Sequence, residues 1–175
     1  MDLDERENRT PSGGNGTALA GPAAPGVFVR EARKGDGETL WTLVRGLAEY
    51  SHLEHEHVSG AEDMERHFFA ENPGVFALLA ETADGKTLGF AVWYLTYSTF
   101  AGTPGAFLED LFVLPRERRH GVGKALFQAF EAAARRRGCR RLEWRALGWN
   151  APALEFYKRA GARVLENWLT FRKEL

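Results

Sequence analysis

Apolar residues recur along this chain with two different periods, and the period changes mark out its elements. From Val27, "VFVREA" has the alternation of a strand. Asp36 then stands where a helix cap would, ahead of "GETLWTLVRGLAEY", in which Leu40, Leu43, Val44, Leu47 and Ala48 share one helical face. Ser59 and Glu62 have capping-box spacing and predict a second short helix through about Phe69. The runs "VFALLAET" and "TLGFAVWYLTY" flank the Asp-Gly of "ADGK", a hairpin turn signal, and "AFLEDLFV" follows the Gly and Pro of "AGTPG". These three predict an antiparallel meander. In "GVGKALFQAFEAAARRRG" the residues Val122, Ala125, Leu126, Ala129, Phe130 and Ala133 face one way, and the segment ends in basic residues and Gly138 as a helix does. The strand "RRLEWRAL", a short helix over "NAPALEFYKRAG" capped by Asn150, and one or two strands in "ARVLENWLTFRKEL" complete the pattern. The sum is an α/β fold with a mixed, mainly antiparallel central sheet flanked by helices.

Residues 1–26 break this pattern. They combine charge, Gly, Pro, Ser and Asn with few large apolar groups, too little to offset the ordering entropy, and predict a disordered tail ahead of one domain over 27–175. The 175 residues suffice for a single sizeable core. A formal net charge of -1 supplies no basic field for nucleic acid, and no apolar run approaches the ~20 residues of a membrane span. The acidic beginning is unlike a secretory signal, so the acceptor-like "NRT" at Asn8 is discounted. Cys139, the one cysteine, excludes an intrachain disulfide framework and suits a reducing, cytoplasmic setting.

The chemistry concentrates in "RERRHGVGKALFQAF", residues 116–130. Gly121 and Gly123 permit close backbone approach, and the helix after them points free N–H groups at an anion; a phosphate or pyrophosphate fits. Lys124 is followed by Ala125, so neither the nucleotide P-loop nor the three-glycine dinucleotide fingerprint is present. Two glycines alone also describe an ordinary helix start.

Arg118, Gly121 and Gly123 spell the Arg/Gln-x-x-Gly-x-Gly/Ala signature, after "FLEDLFVLP" and before an amphipathic helix, and this resembles the GNAT superfamily of N-acetyltransferases. Downstream, "WNAPALEFYKRAGA" resembles that family's Asn-x-x-Ala-x-x-x-Tyr-x-x-x-Gly-Phe/Ala segment. The resemblance covers about Val27 to Leu175 and implies the GNAT fold with acetyl-coenzyme A as cosubstrate and no metal. Within the family, "LAEY", "YLTYSTF", "FLEDLFV" and "FYKRAGA" look most like the diamine (spermidine/spermine) and thialysine acetyltransferases.

Carried over residue by residue, the resemblance gives the backbone of Leu111, Phe112 and Val113 to the cofactor arm. It gives Arg118, Arg119, His120, Gly121, Val122, Gly123 and Lys124 to the pyrophosphate, and places Asn150, Ala151, Pro152 and Ala153 along the cofactor with Tyr157 beside its sulfur. An alkyl amine with a pKa of roughly 10 must lose a proton before attacking a thioester. Glu109 and Asp110 are the nearest carboxylates; strand alternation sends them to opposite faces, and Glu109, acting through water, is the favoured base. A solvated strand carboxylate is the plainer reading of Glu109, and a packed helix residue that of Tyr157. An unperturbed tyrosine is a weaker acid than a thiol by about 1.5 units, so proton donation to the leaving thiolate and simple hydrogen bonding both stay open.

Tyr50, Ser51, Ser98, Thr99, Glu109, Glu143 and Glu166 are the candidate substrate pocket. Polyamine acetyltransferases carry an acidic residue and a tryptophan where this chain has Ser98 and Phe100, and a glutamate where it has Ser51; "YST" resembles the thialysine branch. Expected partners are a small-molecule amine and, as the resemblance to the diamine acetyltransferases implies, a second copy of the chain; Trp168, Leu169 and Phe171 in a terminal strand suit a dimer contact or an internal edge strand equally, and no nucleic acid or membrane is expected. The alternatives are a protein or peptide N-acetyltransferase and a non-catalytic coenzyme-A-binding module. His52, His55 and His57 lack a second ligand cluster and predict no metal site.

Overall fold

The computed structural model describes residues 24–175, so nearly all of the expected 1–26 tail lies outside the described residues. Its last residues form a turn: Val27 N–H donates to the Ala24 carbonyl, and Gly26 takes a left-handed φ of 76°. The chain divides into two compact units, the first ending at Glu143 and the second spanning Trp144–Leu175.

The first unit holds β1 (Phe28–Glu31), β2 (Phe76–Glu81), β3 (Thr87–Ser98) and β4 (Thr103–Val113), and a short β5 (Leu142–Trp144) starts at its end and finishes on the first residue of the second unit. They form one sheet in the order β1-β2-β3-β4-β5, with antiparallel pairing from β1 through β4. The helices are α1 (Gly37–Ser51), α2 (Ala61–Phe68) and α3 (Val122–Arg136). Alternation along the strands explains the layering. Ala77, Leu79, Phe90, Val92 and Phe112 pack with Leu40 and Leu43 of α1 and Met64 of α2. On β3, the fully buried Trp93 instead meets Phe130 of α3 edge-on at 5.6 Å. Central strands covered on both faces read as continuous apolar runs, which is why "FALLA" and "LGFAVW" carry so few polar residues.

Several boundaries differ from expectation. Asp36 precedes α1, but its carboxylate bonds no helix N–H. It accepts from Arg33 N–H at 2.7 Å and from both terminal nitrogens of Arg30 on β1, which also grips Glu81 at 2.9 and 2.7 Å. A long-range arginine outcompetes local capping. Helix α2 begins at Gly60, whose N–H donates to Asp63, rather than on Ser59 and Glu62; the Ser59 carbonyl instead accepts Trp41 Nε1.

In the second unit α4 (Ala151–Arg159) starts as expected, the Asn150 side chain accepting Ala153 N–H at 3.3 Å. The expected C-terminal strands are absent among the described residues: 162–175 is irregular apart from a turn at Glu166 and Asn167, and Trp168, Leu169 and Phe171 stay 75%, 76% and 88% exposed. Alternation makes a strand only where a neighbouring strand takes up its backbone hydrogen bonds.

Candidate active site

The residues expected at the pyrophosphate lie in the connection between β4 and α3, Arg118 to Gly121, and in the first turn of α3, Val122 to Lys124. After Val113 the chain makes a single 3-10 turn, Pro115–Glu117, then two left-handed residues, Arg119 at φ 66° and Gly121 at φ 82°. A left-handed arginine costs about 1–3 kcal/mol and persists only where its surroundings impose it. Left-handed residues that turn the chain into a helix N-terminus leave its first N–H groups open to an anion. The first helical bond of α3 runs from Ala125 N–H to the Gly121 carbonyl, so the N–H groups from Gly121 to Lys124 precede any intrahelical acceptor. Arg119, His120 and Lys124 are exposed around this cradle. Its shape and donors therefore fit a pyrophosphate. A side chain on Gly121 would stand 2.9 Å from Ala24 Cβ, while one on Gly123 would make only ordinary contact with Val113 Cγ2 at 3.6 Å.

Arg118 is turned the other way. Its Nε donates to the Val113 carbonyl at 3.1 Å, and its guanidinium lies 4.1 Å from the ring centre of Tyr50 and 5.7 Å from that of Phe112.

The two carboxylates sit at an irregularity the sequence did not reveal. Val92 pairs with Asp110 and Trp93 with Leu108, leaving Glu109 as the extra residue of a β-bulge. The expected strict alternation of Glu109 and Asp110 is interrupted there, as bulges beside active sites commonly re-aim side chains. Glu109 is exposed; Asp110 is half-buried, and burial, reinforced by the charge of Glu109, pushes its carboxyl up to about 6. Two adjacent carboxyls with one proton affinity moved toward neutrality were signalled in the sequence only by their adjacency.

The raised Asp110 value has a stability consequence. The folded protein binds this proton more tightly than the unfolded chain, so the cost is absent below the ordinary carboxylate range, grows as pH rises, and is complete above about 6. Asp110→Asn is therefore expected to gain about 2–3 kcal/mol over wild type at pH 7.5 relative to pH 3.5, measured by urea unfolding at both values. An equal stability difference at the two pH values would mean that Asp110 titrates normally.

Among the expected pocket residues of the first unit, Tyr50 and Ser51 end α1 and are half-buried. Ser98 is buried at the end of β3, where its Oγ accepts Ala101 N–H at 3.2 Å and shapes the turn to β4; Thr99 beside it is exposed. Glu143 pairs with Arg141 Nε at 2.9 Å. Leu111, Phe112 and Val113 close β4, with Phe112 buried in the core.

In the second unit Ala151, Pro152 and Ala153 form the first turn of α4. Tyr157 on that helix packs against Trp144 at 4.9 Å and Phe156 at 5.3 Å. Burial pushes its phenol up to about 12, which keeps the hydroxyl a proton donor throughout the neutral range. The expected pocket residue Glu166 is exposed in the irregular C-terminal segment. Among the described residues there is no group of metal-ligating side chains, and no helix is long and apolar enough to cross a membrane.

Comparison with known proteins identifies the family. The model of the acetyltransferase (GNAT) family matches residues 40–162. The thialysine N-epsilon-acetyltransferase of Mus musculus is 34% identical over 156 residues, 83% of this chain and 91% of that protein. Among solved structures, an integron cassette protein of V. cholerae superposes with a TM-score of 0.71 at 26% identity, covering 85% of this chain and 93% of the other. AAC(6')-Iy, in complex with the bisubstrate analog CoA-S-monomethyl-acetylneamine, gives a TM-score of 0.66 at 25% identity, covering 85% of this chain and 99% of the other. With a family match over most of its length and an anion cradle at the head of α3, this chain belongs to the acetyltransferase (GNAT) family and is an N-acetyltransferase.

Proposed function

We propose that the protein transfers the acetyl group of acetyl-coenzyme A to a primary amine of a small molecule, of the thialysine-like or diamine class. The observation that carries this reading is the left-handed, glycine-built anion turn, on a chain 34% identical to a thialysine acetyltransferase over most of both lengths. Residues 27–175 are the catalytic domain in this reading.

The N–H groups at the head of α3, with Arg119, His120 and Lys124, hold the pyrophosphate, and the backbone of Leu111, Phe112 and Val113 receives the pantetheine arm. Asn150 to Ala153 flank it. The bound cosubstrate supplies an activated thioester. We assign Tyr50, Ser51, Ser98, Thr99, Glu143 and Glu166 to recognition of the amine. Glu109, on its bulge, takes the ammonium proton through water, and Asp110 sets the local charge: as long as Asp110 holds a proton, the pair bears one negative charge rather than two. As the amine nitrogen forms its bond to the acetyl carbon and the carbon–sulfur bond breaks, the Tyr157 hydroxyl donates to the departing sulfur. A phenol held near 12 is a poor acid toward a thiolate, which favours a hydrogen bond over complete transfer.

Acetyl-coenzyme A consumption across thialysine, lysine, diamines, polyamines and peptides, with product identification, tests the reading. Acetylation of a small primary amine is expected. Preference for peptides would establish the protein-acetyltransferase alternative, and cosubstrate binding without turnover would leave a binding module. We further place the protein in the cytoplasm as a homodimer. The buried free thiol of Cys139 supports the first, and the exposed Trp168, Leu169 and Phe171 the second. Light scattering should report twice the chain mass; a fully active monomer would defeat the dimer.

A further inference from the structure

Three basic residues lead into the anion turn, and they do not behave alike. Arg116 and Arg119 are exposed, whereas Arg118 is half-buried with its guanidinium directed into the protein. Its two attachments join different elements. Nε–H bonds the carbonyl of Val113, the last residue of β4, and the guanidinium plane lies over Tyr50 at the end of α1. Tyr50 in turn packs on Phe112, ring centres 6.3 Å apart, and Phe112 meets Phe90 of β3 at the same distance. Helix α1 approaches this stack so closely that a side chain on Gly46 would stand 3.3 Å from the Phe112 ring. The contact is tight and leaves little room for the end of α1 to move independently of β4.

Arg118 is three residues from Gly121 in a turn with little slack, its own N–H donating to the Pro115 carbonyl. An anion that draws the N–H groups of residues 119–124 inward therefore acts on the backbone that carries Arg118. The planar fork of arginine can stack on a ring and hydrogen-bond a carbonyl at once; lysine offers a point charge and no plane.

We propose that Arg118 is a positioning residue that couples the cosubstrate turn to the amine-binding end of α1: by fastening Tyr50 to the exit of β4, it makes occupancy of the turn and affinity for the amine interdependent. The amine side of this coupling rests on the function proposed above.

The test uses the full chain and measures amine affinity calorimetrically with and without desulfo-coenzyme A, which occupies the turn without reacting, for the amine most rapidly acetylated. Wild type is expected to bind the amine about tenfold more tightly when the turn is filled, and Arg118→Lys to lose most of that gain. Its affinity for the coenzyme alone should stay within about threefold of wild type. Steady-state kinetics of Arg118→Lys should show KM for the amine raised and kcat retained. Tyr50→Phe, which keeps the ring, should preserve the coupling; Tyr50→Leu should abolish it, with no further loss when combined with Arg118→Lys.

Should Arg118→Lys weaken coenzyme binding tenfold or more while the coupling survives, Arg118 is a phosphate ligand and the proposal falls. It falls equally if the two losses add, or if Arg118→Lys lowers only the melting temperature. Arg118→Gln, which retains a donor for Val113 without the charge, separates a folding defect from lost coupling: it should fold, and still lack the gain. Wild type that acetylates no amine defeats the proposed function, and this inference with it; active wild type without coupling defeats the inference alone.

Discussion

A Tyr157→Phe protein is expected to bind acetyl-coenzyme A and to melt as wild type does, within about 1–2 °C, while turning over roughly a hundredfold or more slowly, the range expected for loss of a positioned proton donor. The substitution keeps the ring and therefore its packing against Trp144 and Phe156. Only the hydroxyl is lost. Because burial holds that hydroxyl's pKa near 12, it stays protonated from pH 6 to 9, and the deficit should be constant across that interval. Steady-state kinetics over this range decides. A deficit that shrinks toward high pH would mean that the hydroxyl titrates in the neutral range, and wild-type turnover would remove Tyr157 from the chemistry. Asp110 gains its proton as pH drops through about 6 and changes the charge beside Glu109, so any inflection this produces in the pH profile should survive in Tyr157→Phe.

The parts of this molecule that local pattern determines were legible in its sequence. Helix α3 follows from an apolar face repeating every three to four residues, and the cradle before it from two glycines placed where a strand gives way to that helix. What was not legible depended on partners distant in the chain. Asp36 has the composition of a helix cap, yet Arg30 and the Arg33 N–H claim its oxygens. The bulge at Glu109 exists only in relation to Val92 and Trp93 on β3, and no property of "FLEDLFV" by itself announces it. Arg118 and Arg119 are neighbours of the same type. The backbone turns Arg119 left-handed and leaves it exposed while Arg118 folds inward onto Tyr50, a distinction carried by dihedral angles rather than by residue type. The C-terminal segment erred in the opposite direction, since its apolar residues suggested strands but no strand among the described residues receives it.

The glycine turn supplies the second large effect, and its two glycines are expected to respond differently. At Gly123 there is space for a methyl group, 3.6 Å from Val113 Cγ2, and the backbone is helical. Gly123→Ala should therefore stabilise the protein by about 0.5–1 kcal/mol and leave acetyl-coenzyme A affinity within about threefold of wild type, in keeping with a motif that accepts either residue there. Gly121 is held at φ 82°, a conformation a β-branched residue avoids, and a side chain there would also collide with Ala24. Gly121→Val must rotate the turn, and rotation takes the N–H groups preceding Ala125 out of the concavity. The loss of one charge-assisted hydrogen bond, about 1.5–3 kcal/mol, corresponds to roughly 10- to 150-fold weaker binding. Cys139→Ala, at a buried thiol after α3, serves as the control and should bind normally. Calorimetric titration of each protein, with circular dichroism to establish that Gly121→Val is folded, separates local collapse from loss of the anion site. If folded Gly121→Val bound acetyl-coenzyme A as tightly as the control, the pyrophosphate would have to sit elsewhere. Replacing Ala24 by glycine in the same variant removes the steric collision but not the φ requirement, so affinity should stay low if backbone direction, rather than crowding by the N-terminal segment, holds the anion.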